Sequence, residues 1–531
     1  MQNYNKNKDI NECTSRGSCS TSPTIFSLEI LAITFLQKLS YYLLKLENLG
    51  AKNQKIRNSV IKVLSSLVSI NEFSEEQVYS LIQVEYYMFE ESKKIYAKLN
   101  QDKGLKIDKI KSPFNFSTST TLAEAIVIGE KIYFDNIKKY DSEIRNLKEI
   151  YLISLKNLAI TLAQILDFEE LNEKEYNQIL SALNLLNTNN ITNTQILNNI
   201  YNLAQYNKHL QLKLNDILLK NYNGIDLVNV SYSSNPGKAI LVSGNNLSDL
   251  QKILQFTKDK NIDVYTHSNL LIAHAFNTFK EYPHLKGHYG SSGEICILDF
   301  ATFPGSILLT KNSHGGNEYL YRGRLFTNDY IVPKGVIKIS NDNYTPVLES
   351  AKLAKGFSKG KIKEDKLLGY NIEELKKVFI NIKKNIESKK IEKLYIVGLD
   401  AHSEIQTEYF KEFYSKLKHN EFVISFSYYS TKDNVYTINL ANSHPLVFGV
   451  LKLLFEYIKI DNPNIYFLFT TCDVVSLSAL ISLNLAGAKN IWLSKCSPTI
   501  VNPSILKTIA KKYNLKFLTS PMNDLSQFRQ K

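Results

Sequence analysis

Across residues 25–219 the apolar residues recur at spacings of three and four, as in Leu147, Ile150, Tyr151, Leu155, Leu158 and Leu162. This is the period of helices that bury one stripe, and β-branched runs are nearly absent, so this half is expected to be a helical bundle. Residues 25–46 form its most apolar stretch, yet Glu29, Lys38 and Lys45 interrupt it. A membrane span needs about 20 largely uncharged residues. The stretch is therefore read as a buried amphipathic helix, with Pro23 near its start and Ser22 as a candidate cap. Loops rich in Asn, Ser and Thr at 117–121 and 187–194 are read as turns between helices.

After Gly237 the pattern changes. Short β-branched runs at 239–243, 306–310, 394–397, 422–427, 465–469 and 490–493 are each followed by helical stretches, the signature of parallel sheets. The expected fold is α plus α/β and multidomain: an N-terminal helical bundle (1–225) followed by two Rossmann-like parallel-sheet domains (235–340 and 341–531). Gly244 in SGNN and Gly398 in VGLD fit tight strand-to-helix turns; neither segment is a P-loop or a complete GxGxxG.

Composition narrows the function classes. The 531 residues are 44% hydrophobic and 11% aromatic, enough for packed cores. A net charge of +13 suggests nucleic acid, but six of the 64 basic residues are arginine and 58 are lysine, spread thinly along the chain. Arginine forks are what base and phosphate recognition favours, so no nucleic-acid partner is expected. The first dozen residues are polar and precede no apolar signal core, and five scattered cysteines form no disulfide framework. A cytoplasmic protein without membrane insertion is expected. No GxSxG, HExxH, EF-hand or Walker motif is present, and no catalytic residue stands out.

Four segments carry a resemblance: GKAILVSGNNLSDL from Gly237, NIDVYTHSNLLIAHAF from Asn261, YPHLKGHYGSS from Tyr282 and FPGSILLTKNS from Phe303. Together they resemble the hybrid-cluster proteins, also called prismane proteins or hydroxylamine reductases. YIVGLDAH from Tyr395, FVISFSYYS from Phe422, NLANSHPL from Asn439 and LAGAKNI from Leu485 extend the likeness through the second α/β half. The resemblance implies reduction of hydroxylamine or nitric oxide at an Fe-S-O hybrid cluster fed by an N-terminal Fe-S cluster.

The ligands that the resemblance implies are mostly replaced. Asn245 stands at the ligating His, Asn269 at a ligating Glu and Ser313 at a ligating Cys. Asp400, or with a one-residue shift Leu399, stands at the persulfidated Cys; Tyr428 and Ser443 fall on two further cysteines. Asp473 falls on the last ligating Glu and Val475 on the family's Lys, so Asp473 alone keeps its chemistry. At the N-terminus, CTSRGSC retains Cys13 and Cys19, whereas Asn3 and Lys6 occupy the other half of a four-cysteine site. Two thiolates do not complete an ordinary four-thiolate shell. Cys13 and Cys19 are read as a remnant, with a cluster bridged between two chains or a shared zinc as alternatives.

Histidines near these positions offer a different metal site. His314 follows Ser313, His444 follows Ser443, His402 lies two beyond Asp400 and His267 two before Asn269. With Asp473 they form a speculative Zn²⁺ or Fe²⁺ site, weighed against ordinary hydrogen-bonded histidines. Oxygen donors lack the affinity and redox tuning that thiolates give an Fe-S centre. No cofactor is therefore assigned, and two functional classes stay open: a pseudoenzyme acting by binding a protein or small-molecule partner, and a divergent metal-dependent oxidoreductase with rebuilt ligands.

Overall fold

The computed structural model describes residues 21–107, 115–188, 190–290, 296–311, 321, 323–332, 335–400, 406–471, 474–494 and 503–530. Helices fill the first part: α1 (Pro23–Asn48), α2 (Gln54–Ser66), α3 (Glu75–Asp102), α4 (Leu122–Lys139), α5 (Ser142–Ile165), α6 (Glu173–Leu185) and α7 (Asn193–Asn221). Their starts are written in the sequence. Ser22 Oγ accepts from the Ile25 N–H at 3.2 Å, capping α1 with Pro23 in its first turn. α3, α4, α6 and α7 each open on a reciprocal capping box: Ser74 with Gln77, Thr121 with Glu124, Asn172 with Glu175, Thr192 with Gln195. The turn expected at 187–194 therefore ends early, because Thr192 caps α7 and Asn193 is already helical. α1 and α4 cross so closely that a Cβ on Gly129 would lie 1.9 Å from the Ser27 carbonyl oxygen.

The chain then enters α/β structure. β1 (Val228–Val230) pairs antiparallel with β8 (Lys366–Leu368). Between them come β2 (Ala239–Ser243), α8 (Leu247–Thr257), β3 (Asp263–His267), β4 (Leu285–His288), α9 (Cys296–Thr302), β5 (Ser306–Leu309), β6 (Leu325–Thr327), β7 (Ile337–Lys338) and α10 (Thr345–Leu353). After β8 follow α11 (Ile372–Glu387), β9 (Lys393–Val397), α12 (Thr407–Ser415), β10 (Glu421–Ser425), β11 (Val435–Thr437), α13 (His444–Leu454) and β12 (Ile465–Phe469). The chain closes with α14 (Val474–Leu485), β13 (Asn490–Leu493), α15 (Pro503–Lys512), β14 (Lys516–Phe517) and α16 (Pro521–Gln530).

Two parallel six-stranded sheets result, ordered β4-β3-β2-β5-β6-β7 and β11-β10-β9-β12-β13-β14. A helical N-terminal region is thus followed by parallel-sheet α/β structure. Each order reverses once, between β2 and β5 and between β9 and β12, and such reversals open the crevices where α/β sheets hold ligands. Period-two alternation decides which face each residue joins. Ile240, Val242, Leu394, Ile396, Ile465 and Phe467 point into one core shared with the helices. Ala239 and Leu241 face the opposite side of the first sheet, and Tyr395, Val397, Tyr466 and Leu468 that of the second. Strands buried on both faces read as continuous apolar runs, which is why the inner ones were legible. The run expected at 422–427 stops at Ser425, because Ser425 Oγ takes the Tyr428 N–H at 3.0 Å and donates to the Tyr428 carbonyl at 2.8 Å. No helix among the described residues is long and apolar enough to cross a membrane.

Candidate functional site

Among the described residues, Asn245, Asn269, Asp400 and Tyr428 follow the C-terminal ends of the parallel strands β2, β3, β9 and β10. Gly244 (φ 133°) and Gly398 (φ 70°) turn the chain off β2 and β9 with positive φ. At Gly398 a Cβ would lie 2.4 Å from Ser427 Oγ, so only glycine fits the turn that delivers Asp400.

At the first reversal, between β2 and β5, the two turns are tied together. Thr310 Oγ1 accepts the backbone N–H groups of Asn245 (3.2 Å) and Asn246 (3.4 Å). The Asn245 residue itself is exposed. Asn246 caps α8 and donates from Nδ2 to Asp167 Oδ2 at 2.6 Å, bringing in the helical region just after α5. Lys311 Nζ lies 2.8 Å from Asp167 Oδ1 and 3.3 Å from Asp249 Oδ1. Asn328 Nδ2 adds a bond of 2.7 Å to the same Asp249 oxygen. Asp249 is fully buried, and burial raises its pKa against the lowering pull of Lys311. For Lys311, burial alone would lower the pKa, but the Asp249 and Asp167 carboxylates outweigh it and raise it.

At the second reversal, between β9 and β12, Asp400 is buried and its carboxylate spans the gap. Oδ1 accepts the Thr470 N–H and hydroxyl, both at 3.1 Å; Oδ2 accepts the Thr470 N–H at 2.8 Å and the Thr471 hydroxyl at 2.9 Å. The Thr471 N–H also donates to Oδ2, and its hydroxyl lies 2.7 Å from Ser476 Oγ at the start of α14. A buried carboxylate held by backbone amides and hydroxyls is a strong, charge-assisted tie.

The two sheets meet where Asn442 Nδ2 donates to Asn269 Oδ1 at 3.1 Å. Asn442 and Ala441 stand on left-handed backbone, with φ of 62° and 49°, as does Ser268 (φ 58°), the residue before Asn269. Such non-glycine geometry costs on the order of 1–3 kcal/mol and persists only where surroundings enforce it. Ser443 follows at the N-cap position of α13, with no side-chain cap bond, and His444 opens that helix. Val475 is in the first turn of α14. Tyr428 goes elsewhere: its ring stacks on Phe410 of α12 at 4.5 Å, in the core on the far side of the second sheet.

His267 is fully buried with both ring nitrogens engaged, one 2.8 Å from Ser243 Oγ and the other 3.2 Å from Asp299 Oδ2. Ser, His and Asp in contact invite comparison with a hydrolase triad. Here, however, Asp299 faces Nε2 and the serine faces Nδ1, the reverse of the triad arrangement, and Ser243 is only 5% exposed. The contacts orient the imidazole and leave no open nucleophile. Beside it, Thr266 Oγ1 lies 2.9 Å from both His274 Nε2 and His288 Nδ1. Burial drives His274 down to about 4 and His288 well below its ordinary value, the latter also repelled by His267 and His274.

Sequence reasoning missed Asp167, Asp249, Lys311 and Asp299. Lys311 lies two residues before Ser313 and was the nearest signal; no local pattern pairs it with Asp167, 144 residues away. Cys13, Cys19, Ser313, His314, His402 and Asp473 lie outside the described residues. Among the described residues no group of three or more His, Cys, Asp or Glu is placed to hold a metal ion.

Two parallel six-stranded sheets sharing a core with a helical N-terminal region define the architecture, and comparison with known proteins supplies the kinship. The chain belongs to the Prismane/CO dehydrogenase family, whose model matches residues 8–439 and so ends before Ser443 and Asp473. It is similar to a hydroxylamine reductase of Thermodesulfovibrio yellowstonii, 26% identical over 551 residues that cover 97% of each chain. It is also similar to a hydroxylamine reductase of Methanocella arvoryzae, 24% identical over 97% of this chain and 96% of that protein. A solved acetyl-CoA synthase/carbon monoxide dehydrogenase covers 98% of this chain and 84% of its own at 12% identity and a TM-score of 0.45.

Proposed function

We propose that this protein keeps the scaffold of its hydroxylamine reductase relatives but does not build their hybrid cluster, and that it acts by binding a partner or small ligand. The observation that carries the reading is the Asp400 carboxylate, which bridges the crevice between β9 and β12 through both Thr470 and Thr471. By the resemblance, that is the place of a persulfidated cysteine. A carboxylate whose oxygens already accept four donor groups has little capacity left for iron, and oxygen is in any case a poor substitute for thiolate in an Fe-S centre.

The neighbouring positions agree. Asn269 Oδ1 is committed to Asn442, and the Tyr428 ring is packed against Phe410 on the opposite side of the sheet. On this reading the residues present do not fit the cluster, and the hydrogen bonds of Asp400 to Thr470 and Thr471 and of Asn442 to Asn269 occupy side chains at the vacated positions.

The test is anaerobic purification followed by iron, zinc and acid-labile sulfide analysis and a hydroxylamine turnover assay. The expected result is a folded protein with no stoichiometric iron and sulfide and no turnover. Stoichiometric iron with sulfide, and turnover abolished by Asp473→Ala, would overturn the reading. Metal without sulfide, lost on His314→Ala or His444→Ala, would replace it with a rebuilt oxygen and nitrogen site.

A further inference from the structure

Between α10 and β8 the chain forms an extended segment whose outer edge is unpaired. Lys361 and Ser234 exchange both backbone hydrogen bonds, at 2.9 and 3.0 Å, as an antiparallel bridge. Phe357 and Gly237 do the same at 2.9 and 2.8 Å. Ser233 Oγ accepts the Lys363 N–H at 3.0 Å and donates to the Lys363 carbonyl at 3.2 Å. Residues 361 and 363 thus spend their backbone groups inward. In an antiparallel pair the residues between them turn theirs outward. The N–H and C=O of Ile362 and Glu364 accordingly face away from the protein, and neither has a hydrogen-bond partner among the described residues.

The side chains on this edge are unusual. Ile362 is 95% exposed on a segment held in place on its inner side. Lys355, Lys359, Lys361, Lys363 and Lys366 are all exposed, against the acidic Glu364 and Asp365. Lys363 and Lys366 rest over the rings of Tyr289 and Tyr232, at 5.9 and 4.7 Å. Lysines on a free edge commonly guard against pairing between identical chains, since like charges would meet. The same charges favour an acidic strand, and a guard has no use for a fully exposed isoleucine.

We propose that residues 359–366 form a strand-addition site for an extended, acidic segment of a partner protein. Its backbone would pair with Ile362 and Glu364, its carboxylates would meet Lys359, Lys361 and Lys363, and an apolar side chain would cover Ile362. Main-chain bonds supply affinity in this mode of recognition and side chains supply selectivity. The site is separate from the crevices above, so it stands or falls independently of the cluster reading.

The test uses the full chain and a labelled alternating Glu/Val peptide, read by fluorescence anisotropy. Saturable binding is expected, with a Lys/Val peptide failing to bind. Affinity should fall about tenfold or more in Ile362→Pro, which deletes the outward N–H together with the apolar side chain the partner would cover, and in the combined Lys359→Glu, Lys361→Glu, Lys363→Glu variant. A Glu/Val peptide N-methylated at alternate amides should also lose binding, which asks the same question without altering the protein. Unchanged affinity for the methylated peptide, or equal binding of the Lys/Val peptide, would overturn the proposal. So would binding to phosphatidylserine vesicles that ignores Ile362→Pro, or self-association that the lysine reversals strengthen.

Discussion

Asn442 donates its side-chain amide to Asn269 Oδ1 across 3.1 Å, joining segments 173 residues apart in sequence. The bond links the turn after β3 in the first sheet to the approach to α13 in the second, so it measures how firmly the sheets are docked. Removing it by Asn442→Ala should cost about 1 kcal/mol. A double-mutant cycle with Asn269→Ala, followed by urea denaturation, should return a coupling of about 0.5–1.5 kcal/mol; additive losses would show that the two amides do not act together.

Asp400→Ala would remove the carboxylate that accepts the Thr470 and Thr471 N–H groups and hydroxyls, leaving the Thr471 hydroxyl only its contact with Ser476 Oγ. A loss of about 3 kcal/mol is expected, with Asp400→Asn milder because one acceptor survives. Hydrogen exchange gives a local check: the Thr470 and Thr471 amides should lose protection in Asp400→Ala ahead of those in the middle of β12.

Lys311 is the cation shared by Asp167 and Asp249. Lys311→Met should destabilise by about 3–5 kcal/mol, since it leaves buried carboxylate charge uncompensated. Adding Asp249→Asn should recover part of that loss. A double variant no more stable than Lys311→Met alone would mean that the lysine acts through packing of its stem.

The histidine pair predicts a pH dependence with a definite sign. His274, at about 4, and His288, lower than its ordinary value, are both depressed in the folded protein. As pH falls from about 6.5 toward 4, the unfolded chain takes up protons that the folded chain refuses, so stability declines through that window and is restored above it. His274 alone accounts for about 3 kcal/mol at most. Denaturant midpoints measured from pH 4.5 to 7.5 should rise with pH, and His274→Gln should flatten the slope while keeping a partner for Thr266.

Much of the framework was legible because it is local. Ser22 and Pro23 announced the start of α1, and the inner strands β2, β9, β12 and β13 announced themselves as continuous apolar runs. The two-residue strands β7 and β14 left no such mark, since so short a stretch shows no period and pairs only because a neighbour is already in place.

The sequence by itself determined the helical half, the parallel strands, the family resemblance and the chemical identity of the substituted side chains, all of which follow from local spacing or residue type. What those side chains do was decided only in three dimensions. Asp400 acts as a clamp because β9 and β12 are neighbours, Tyr428 leaves the crevice because the turn after Ser425 sends its ring to Phe410, and Lys311 finds Asp167 because the helical region packs on the first sheet. Hydrogen bonds and ion pairs depend on distances of a few ångströms between residues far apart in the chain, and no local pattern encodes those distances.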